Sequence, residues 1–511
     1  MNHSPILPIL IPFISSLLLL MLSGSKLALQ RGISAVAVLS LIAAAVNLLL
    51  LTDSQAPLSY TLGDWPAPFG IVLVADRLAA LGVMVTSILA AAALLYASAG
   101  FDQKGRHFHA IFQLQLVGIN GAFLTGDVFN LFVFFEVMLL ASYILLAHGG
   151  GLNKSRAGFV YVTLNLAGSA VFLIALGLVY GTLGTLNLAD IALQLQAVSA
   201  ADAALVRVAG ALLITVFLLK AAVLPLSFWL PHAYAAAGPA VAALFAIMTK
   251  VGIVAILRVQ MIAFDPAAAT HDLIGDWLVI TALATIIFAA LGILTAKNLQ
   301  ALVAWLVLSS AGVLLIVPSF ADTAVTAAAL YYLVQSAIVA AAFFMLAGLI
   351  GTARGHIKDT LTGAGRLNSR SLQLGFLLLA ATAAGLPPFS GFLGKLMLLT
   401  AVSQSPLATA IWTVILIAGL ITTVALAKAG SRLFWEISAE GETELQPTTP
   451  ARSGRQYLAT FALITVSLLL LVFSQPLSDF TQRTAAQLHQ PEQYIDAVIP
   501  GHAAIPRVSR P

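Results

Sequence analysis

The sequence predicts an all-α polytopic membrane protein with about fourteen transmembrane helices, and three observations predict it. Of the 511 residues, 60% are hydrophobic and only 9% are charged, against about 25% charged in a globular domain. Mean hydropathy is +1.01. Apolar runs of about 20 residues, the length that crosses a hydrocarbon core of about 30 Å, recur along the whole chain. Basic residues gather in alternate loops, as the positive-inside rule requires of a threaded chain.

The runs fall at 4–24, 32–52, 76–98, 108–125, 128–147, 158–182, 205–230, 239–262, 275–295, 299–317, 324–350, 372–402, 408–431 and 456–475. The first reads as a span, because Met1–Ser23 has neither a basic n-region nor a small-residue cleavage site. One set of loops holds Lys26, Arg31, Lys104, Arg106, Lys154, Arg156, Lys297, Arg354, Lys358, Lys428 and Arg432. The opposite set holds mostly acids, among them Asp53, Asp64, Asp190, Asp202 and Asp322. The basic set is therefore cytoplasmic and both termini lie outside, as an even span count also demands. The acidic, proline-containing stretch 436–455 is a solvated cytoplasmic linker, and the polar tail from Gln475 to Pro511 runs along the outer surface. With no cysteine, disulfides, iron–sulfur clusters, thiolate metal sites and cysteine nucleophiles are excluded.

The fifth span opens at Asp127, which suits a helix cap because its carboxylate can accept from first-turn N–H groups. Nine residues on, roughly 13 Å deeper, comes Glu136. That is near the bilayer midplane, where a charge costs about 2.5–3.5 kcal/mol and is expected to face protein or water. The seventh span contains Pro225, and the twelfth contains Pro387 and Pro388. A proline inside a helix removes a backbone hydrogen bond and clashes with the preceding turn, so both helices are expected to be broken. Ala221-Ala-Val-Leu-Pro225 matches Ala383-Ala-Gly-Leu-Pro387 at an offset of 162. The match maps the fourth span onto the ninth and makes two five-span repeats. An odd number of spans per repeat inverts one against the other. The expected organisation is an N-terminal three-helix region (1–107), a first repeat (108–265), a second repeat (266–435), and linker, last span and tail (436–511).

Beyond Glu136, three ionisable groups fall deep within spans: Lys220, Lys250 and Lys395. Lys220 precedes one break and Lys395 follows the other, where free carbonyl and N–H groups hold water or ions at depth. Moving a proton onto one member of such a file shifts the affinity of its neighbour, so the four read as a proton relay. The competing reading is a set of ion pairs that only fixes helix packing. His232 and Asp127 are candidate proton ports, and Ser309, Ser310 and Gln335 candidate water-bridging groups. Trp229, Tyr234 and Trp435 are expected as interface anchors. One midplane carboxylate without midplane His or Cys cannot assemble a metal site, and no cofactor or nucleic-acid motif is present.

Three stretches resemble a known family: Thr125-Gly-Asp-Val-Phe-Asn-Leu-Phe-Val-Phe-Phe-Glu136, Phe228-Trp-Leu-Pro-His-Ala-Tyr234 through Thr249-Lys250-Val-Gly252, and Gly385-Leu-Pro-Pro-Phe-Ser-Gly-Phe-Leu-Gly-Lys395. They are similar to the signatures of the antiporter-like subunits of complex I, membrane-bound hydrogenases and Mrp-type cation/proton antiporters. The resemblance covers roughly residues 70–430. It implies fourteen helices, two inverted five-helix repeats, and a Glu–Lys–Lys–Lys proton path along the midplane. Gly394-Lys395, Arg432-Leu-Phe-Trp435 and the chain length look most like the Mrp D subunit. Family members often carry His and Lys in the eleventh span, where this chain has Tyr332-Leu-Val-Gln335-Ser-Ala-Ile-Val-Ala340.

The expected function is proton translocation within a hetero-oligomeric Mrp antiporter of the bacterial inner membrane, exchanging H⁺ for Na⁺, with K⁺ or Li⁺ as further candidates. The chain itself is then not an enzyme. The alternative is a proton-pumping subunit of a complex I-like or hydrogenase-type redox enzyme, which the copurifying partners would distinguish.

Overall fold

The computed structural model describes residues 3–199, 201–264, 269–271, 273–361, 367–435 and 454–501. Along the chain the helices are α1 Leu7–Met21, α2 Leu27–Ser54, α3 Arg77–Ala97, α4 Phe108–Leu124, α5 Val128–Ala147, α6 Leu152–Leu183 and α7 Leu188–Gln196. There follow α8 Ala203–Lys220, α9 Trp229–Ala236, α10 Pro239–Phe245, α11 Met248–Val259, α12 Asp276–Thr295, α13 Leu299–Leu315 and α14 Thr323–Ala353. The last are α15 Arg370–Ala384, α16 Ser390–Ala401, α17 Ala408–Phe434, α18 Gly454–Val472, α19 Ser474–Leu488 and α20 Pro491–Val498. Among the described residues, eleven helical stretches are long and apolar enough to cross a membrane. Shorter apolar helices are α1, α4, α15 and α16.

Local chemistry explains the helix ends. Asp76, Asp127, Asn187, Asn298 and Asp322 cap α3, α5, α7, α13 and α14 by accepting first-turn N–H groups. Pro12 inside α1 has no N–H to offer the Pro8 carbonyl, and the Asn120 side-chain amide donates to that oxygen instead, at 2.9 Å. The fold is not wholly helical. β1 (Leu58–Thr61) and β2 (Val72–Ala75) form an antiparallel hairpin between α2 and α3, with Leu58 opposite Ala75. Val72 accepts from the Gly126 N–H at 2.8 Å, so the hairpin is fastened to the start of α5.

Two helical stretches form the interior. The apolar window of Pro239–Phe264 is entirely buried and that of α14 is 94% buried, whereas those of α6 and α17 are only 39% and 33% buried. A buried helix must be apolar on all sides, and this is why polar groups on α11 and α14 stand out.

The seventh and twelfth apolar runs are each interrupted. After α8, Ala222 takes φ 57° and the Val223 N–H reaches the Leu218 carbonyl at 3.0 Å. After α15, Gly385 takes φ 81° and the Leu386 N–H reaches the Ala381 carbonyl at 3.0 Å. Both are left-handed helix caps. A cis peptide follows each, at Leu224–Pro225 and Pro387–Pro388. Matching cap to cap pairs Ala222 with Gly385 and Pro225 with Pro388, an offset one residue larger than the sequence match suggests. The backbone turn sets this register, and the matching apolar letters do not.

A second correspondence links the starts of α5 and α13. Asp127 bridges to Asn187, and Asn298 bridges to Thr360. Each bridge joins the residue capping a helix to a loop beyond the next long helix.

The tail expected along the surface forms α19 and α20, packed on α14 and near β1. The acidic linker lies, from 436 to 453, outside the described residues.

Candidate functional site

Glu136 lies on α5 between the exposed Val133 and Leu140, and its own side chain keeps 25% exposure. Its carboxylate accepts from the Ser169 hydroxyl of α6 and faces the Lys220 ammonium at 3.8 Å. Lys220 also donates to Ser169 Oγ at 3.4 Å, so the serine bridges acid and base. With an effective dielectric near 20 a pair at this distance attracts by about 4 kcal/mol. Two isolated midplane charges cost roughly 5–7 kcal/mol on insertion scales. The ion pair alone does not offset that cost, and the Ser169 hydroxyl, bonded to both groups, offsets part of the rest.

Lys220 is the last residue of α8, at the negative end of the helix dipole. Behind it, α11 approaches at Gly252, where an added Cβ would lie 2.7 Å from the Ala221 nitrogen. Glycine is needed there for close contact. Two residues earlier on α11, Lys250 is fully buried and donates to Ser310 Oγ of α13 at 2.8 Å.

Ser310 opens onto a cavity of ≈ 40 Å³ lined also by Ser309, Gln335, Thr382, Thr422 and Lys395. That volume accommodates about three waters. Gln335 is 2% exposed and its Oε1 is buried with no partner among the described residues. Lys395 rests on the C-terminal carbonyls of α15, Ala383 at 3.3 Å and Ala384 at 3.1 Å. Gly391 lets the two half-helices meet, since a Cβ there would lie 1.9 Å from the Thr382 oxygen.

The structure thus brings together Glu136 with Lys220, Lys250 with Ser310, and Ser310 around one cavity with Ser309, Gln335 and Lys395. His232 is not among them: it is exposed, and its ring Nδ1 meets the Phe228 carbonyl one turn back at 3.0 Å. Asp127 sits at the mouth of α5, where burial pushes its carboxyl up to about 6 although the Asn130 N–H favours the charged form. Pro225, Pro387 and Pro388 are exposed on the break surfaces. Two interface-anchor assignments are corrected. Trp229 is 2% exposed, stacks on Tyr161 and donates to the Leu219 carbonyl near the end of α8. Tyr234 is fully buried and donates to the Phe245 carbonyl at the end of α10. Backbone oxygens at helix ends in the interior accept from these polar tips, which therefore need no headgroup layer. Trp435 is exposed, at 58%.

Sequence reasoning missed two buried clusters. Arg258, eight residues past Lys250, makes a two-pronged ion pair with Asp76 at 2.9 Å and lies over the Tyr494 ring. Arg31 and His109 converge on Asp102 at 2.7 and 3.1 Å. Asp102 is buried, but the hydrogen bonds from Arg31 and His109 outweigh that and lower its carboxyl to about 2. An arginine within an apolar run was a readable signal for the first. For the second, Asp102 reads as an ordinary loop residue.

Fold and site together define a polytopic membrane protein that carries ionisable side chains in its interior. A sequence profile described as NADH:quinone oxidoreductase/Mrp antiporter, transmembrane, matches residues 125–424. The chain is 39% identical to a probable K⁺/H⁺ antiporter D subunit of Rhizobium meliloti, over 98% of each chain. It is 35% identical to the Na⁺/H⁺ antiporter D subunit of Bacillus subtilis, over 98% of this chain and all of the relative. A chain of the Mrp complex from Dietzia sp. superposes with a TM-score of 0.86 at 28% identity, covering 98% of this chain and 100% of that one. The protein belongs to the D-subunit family of Mrp-type cation/proton antiporters, whose fold is shared with the complex I membrane arm.

Proposed function

We propose that this chain is the proton-translocating subunit of a multisubunit monovalent cation/proton antiporter in the bacterial inner membrane. The observation that carries this reading is the buried Glu136–Ser169–Lys220 cluster, with Lys220 3.8 Å from the carboxylate. Glu136 holds or releases the proton and Lys220 modulates it. Lys250 passes protons to Ser310, and water in the cavity beside Ser309 and Gln335 completes the route to Lys395, in place of an ionisable residue in the eleventh span. Asp127 is the proton port at the mouth of α5. The partial exposure of Glu136 on a membrane-facing stripe supports cover by a neighbouring subunit, since lipid would not solvate it.

The architecture behind this reading has fourteen crossings. The eleven long apolar stretches, with α1, α4 and the α15–α16 pair, support that count. α4–α11 and α12–α17 act as two inverted repeats, after a three-helix region and before the linker, last span and tail. The paired caps, paired bridges and paired breaks support the repeats, and the alternating basic loops support termini outside.

The four interior groups offer no cage of oxygens for a bare cation, so the cation crosses elsewhere in the complex. Na⁺ and K⁺ both stand in the names of the relatives, and Li⁺ is a third candidate. The membrane potential supplies about 2.3 kcal/mol per charge per 100 mV, so inward protons drive cation export when more protons enter than cations leave. In acidified everted vesicles carrying the whole complex, adding Na⁺, K⁺ or Li⁺ in turn should release protons for at least one of them. No response to any of the three, with the complex intact, would overturn the antiporter reading.

A further inference from the structure

Away from the relay, on the face that carries Lys26 and Lys104, α2, α3 and the start of α18 enclose a groove of ≈ 580 Å³. Its walls are apolar, with Gly32, Ala35 and Leu39 from one stripe of α2 and Ala91 and Leu95 from α3. Small residues on one helical stripe leave a channel where larger ones would fill it. The end of the groove is different in kind. It holds Arg31, Arg455, Ser98 and His109.

Among the described residues the charge at that end is unbalanced. Arg31 donates two N–H groups to Asp102, and His109 Nε2 meets the same carboxylate. Arg455, exposed, donates to Ser98 and has no carboxylate partner among the described residues. An anion with several oxygens would meet the remaining N–H groups of the two guanidiniums.

The length of the groove suits an acyl chain. From Ala28 to Leu39 is eleven residues, roughly 16 Å of helix, about the depth of one leaflet of a hydrocarbon core of about 30 Å.

We propose that this groove binds an anionic phospholipid, with an acyl chain along α2 and α3 and the phosphate held by Arg455 and Arg31. Basic pockets between membrane helices at the cytoplasmic surface suit such headgroups. Arg31 would link the lipid to Asp102, and through it to the turn between α3 and α4.

The test uses the purified, delipidated complex, titrated with phosphatidylglycerol, phosphatidylcholine or inorganic phosphate and read by native mass spectrometry. Wild type should retain phosphatidylglycerol about fivefold better than phosphatidylcholine, and inorganic phosphate should not compete. Arg455→Gln should erase the preference for the anionic lipid. Gly32→Leu should abolish retention of both lipids, and it is sterically safe because nothing lies within 4 Å of an added Cβ. Equal retention of the two lipids by wild type would overturn the proposal, as would unchanged binding in Gly32→Leu. Competition by inorganic phosphate alone would reduce the site to an anion pocket. Loss of a copurifying subunit in Gly32→Leu, with lipid retention intact, would assign the groove to a protein partner.

Discussion

The helix breaks after α8 and after α15 share a backbone and differ in chemistry. Each has a left-handed cap followed by a cis proline peptide. At the first, the lysine ends the leading half-helix and faces a carboxylate through Ser169. At the second, the lysine comes from the trailing half-helix and rests on two carbonyls. The preceding helices differ in the same way. Nine residues after its cap, α5 carries Glu136, whereas nine residues after Asn298 α13 carries Val307. A broken helix can therefore hold an ammonium with or without an acid. Among the described residues the lysine at the first break has a carboxylate partner and the lysine at the second has none, so a proton's arrival at the first is felt by a neighbouring charge.

Experiments that break this contrast have graded effects. Glu136→Gln removes the acid that distinguishes the first unit, and proton movement in everted vesicles should fall by about a hundredfold, the scale of losing a positioned proton-transfer group. Gly391→Ala drives a Cβ to 1.9 Å from the Thr382 oxygen, separates the second pair of half-helices and should lower transport about tenfold, with thermal stability reduced by about 1–3 kcal/mol. Ser169→Ala removes the bridge but leaves the ion pair. A smaller loss of about threefold to tenfold is expected, near the 1 kcal/mol worth of a hydrogen bond.

The mildest change makes the first unit resemble the second at its cap. Asp127→Asn supplies the residue found at Asn298, which caps α13 through the Ala301 N–H at 2.7 Å, so folding should be retained. The wild-type carboxyl, pushed up to about 6 by burial, is neutral below that pH and accepts protons above it. Transport should show an inflection near pH 6 in wild type that the variant lacks, read from a rate profile against external pH.

Much of this is legible in the sequence, for physical reasons. The fifth apolar run, 128–147, has the limits of α5, because a cap residue and twenty apolar residues leave little choice. The breaks are visible as prolines within apolar runs. Their register is not: the apolar match gives 162, while the cap geometry depends on which residue turns left-handed, Ala222 in one case and Gly385 in the other. Partners across helices are equally hidden. Nothing local to Ser169 marks it as a lysine ligand, since a serine along α6 most simply bonds its own helix; Ser310 reads as a candidate water-bridging group, and its direct bond from Lys250 comes only with the assembled bundle. The same limit misplaces Trp229 and Tyr234, whose acceptors, the Leu219 and Phe245 carbonyls, meet them only in the folded bundle. Arg258 is different: an arginine within an apolar run is a readable signal, but only the assembled bundle places Asp76 against it.

The most direct test of the carboxylate's role is proton uptake in everted vesicles containing the complete complex with Glu136→Gln, measured beside complex content by immunodetection. The account predicts normal assembly with cation-dependent proton movement at the background level. Full transport in that variant would contradict it and leave the Glu136–Lys220 pair as a packing element alone.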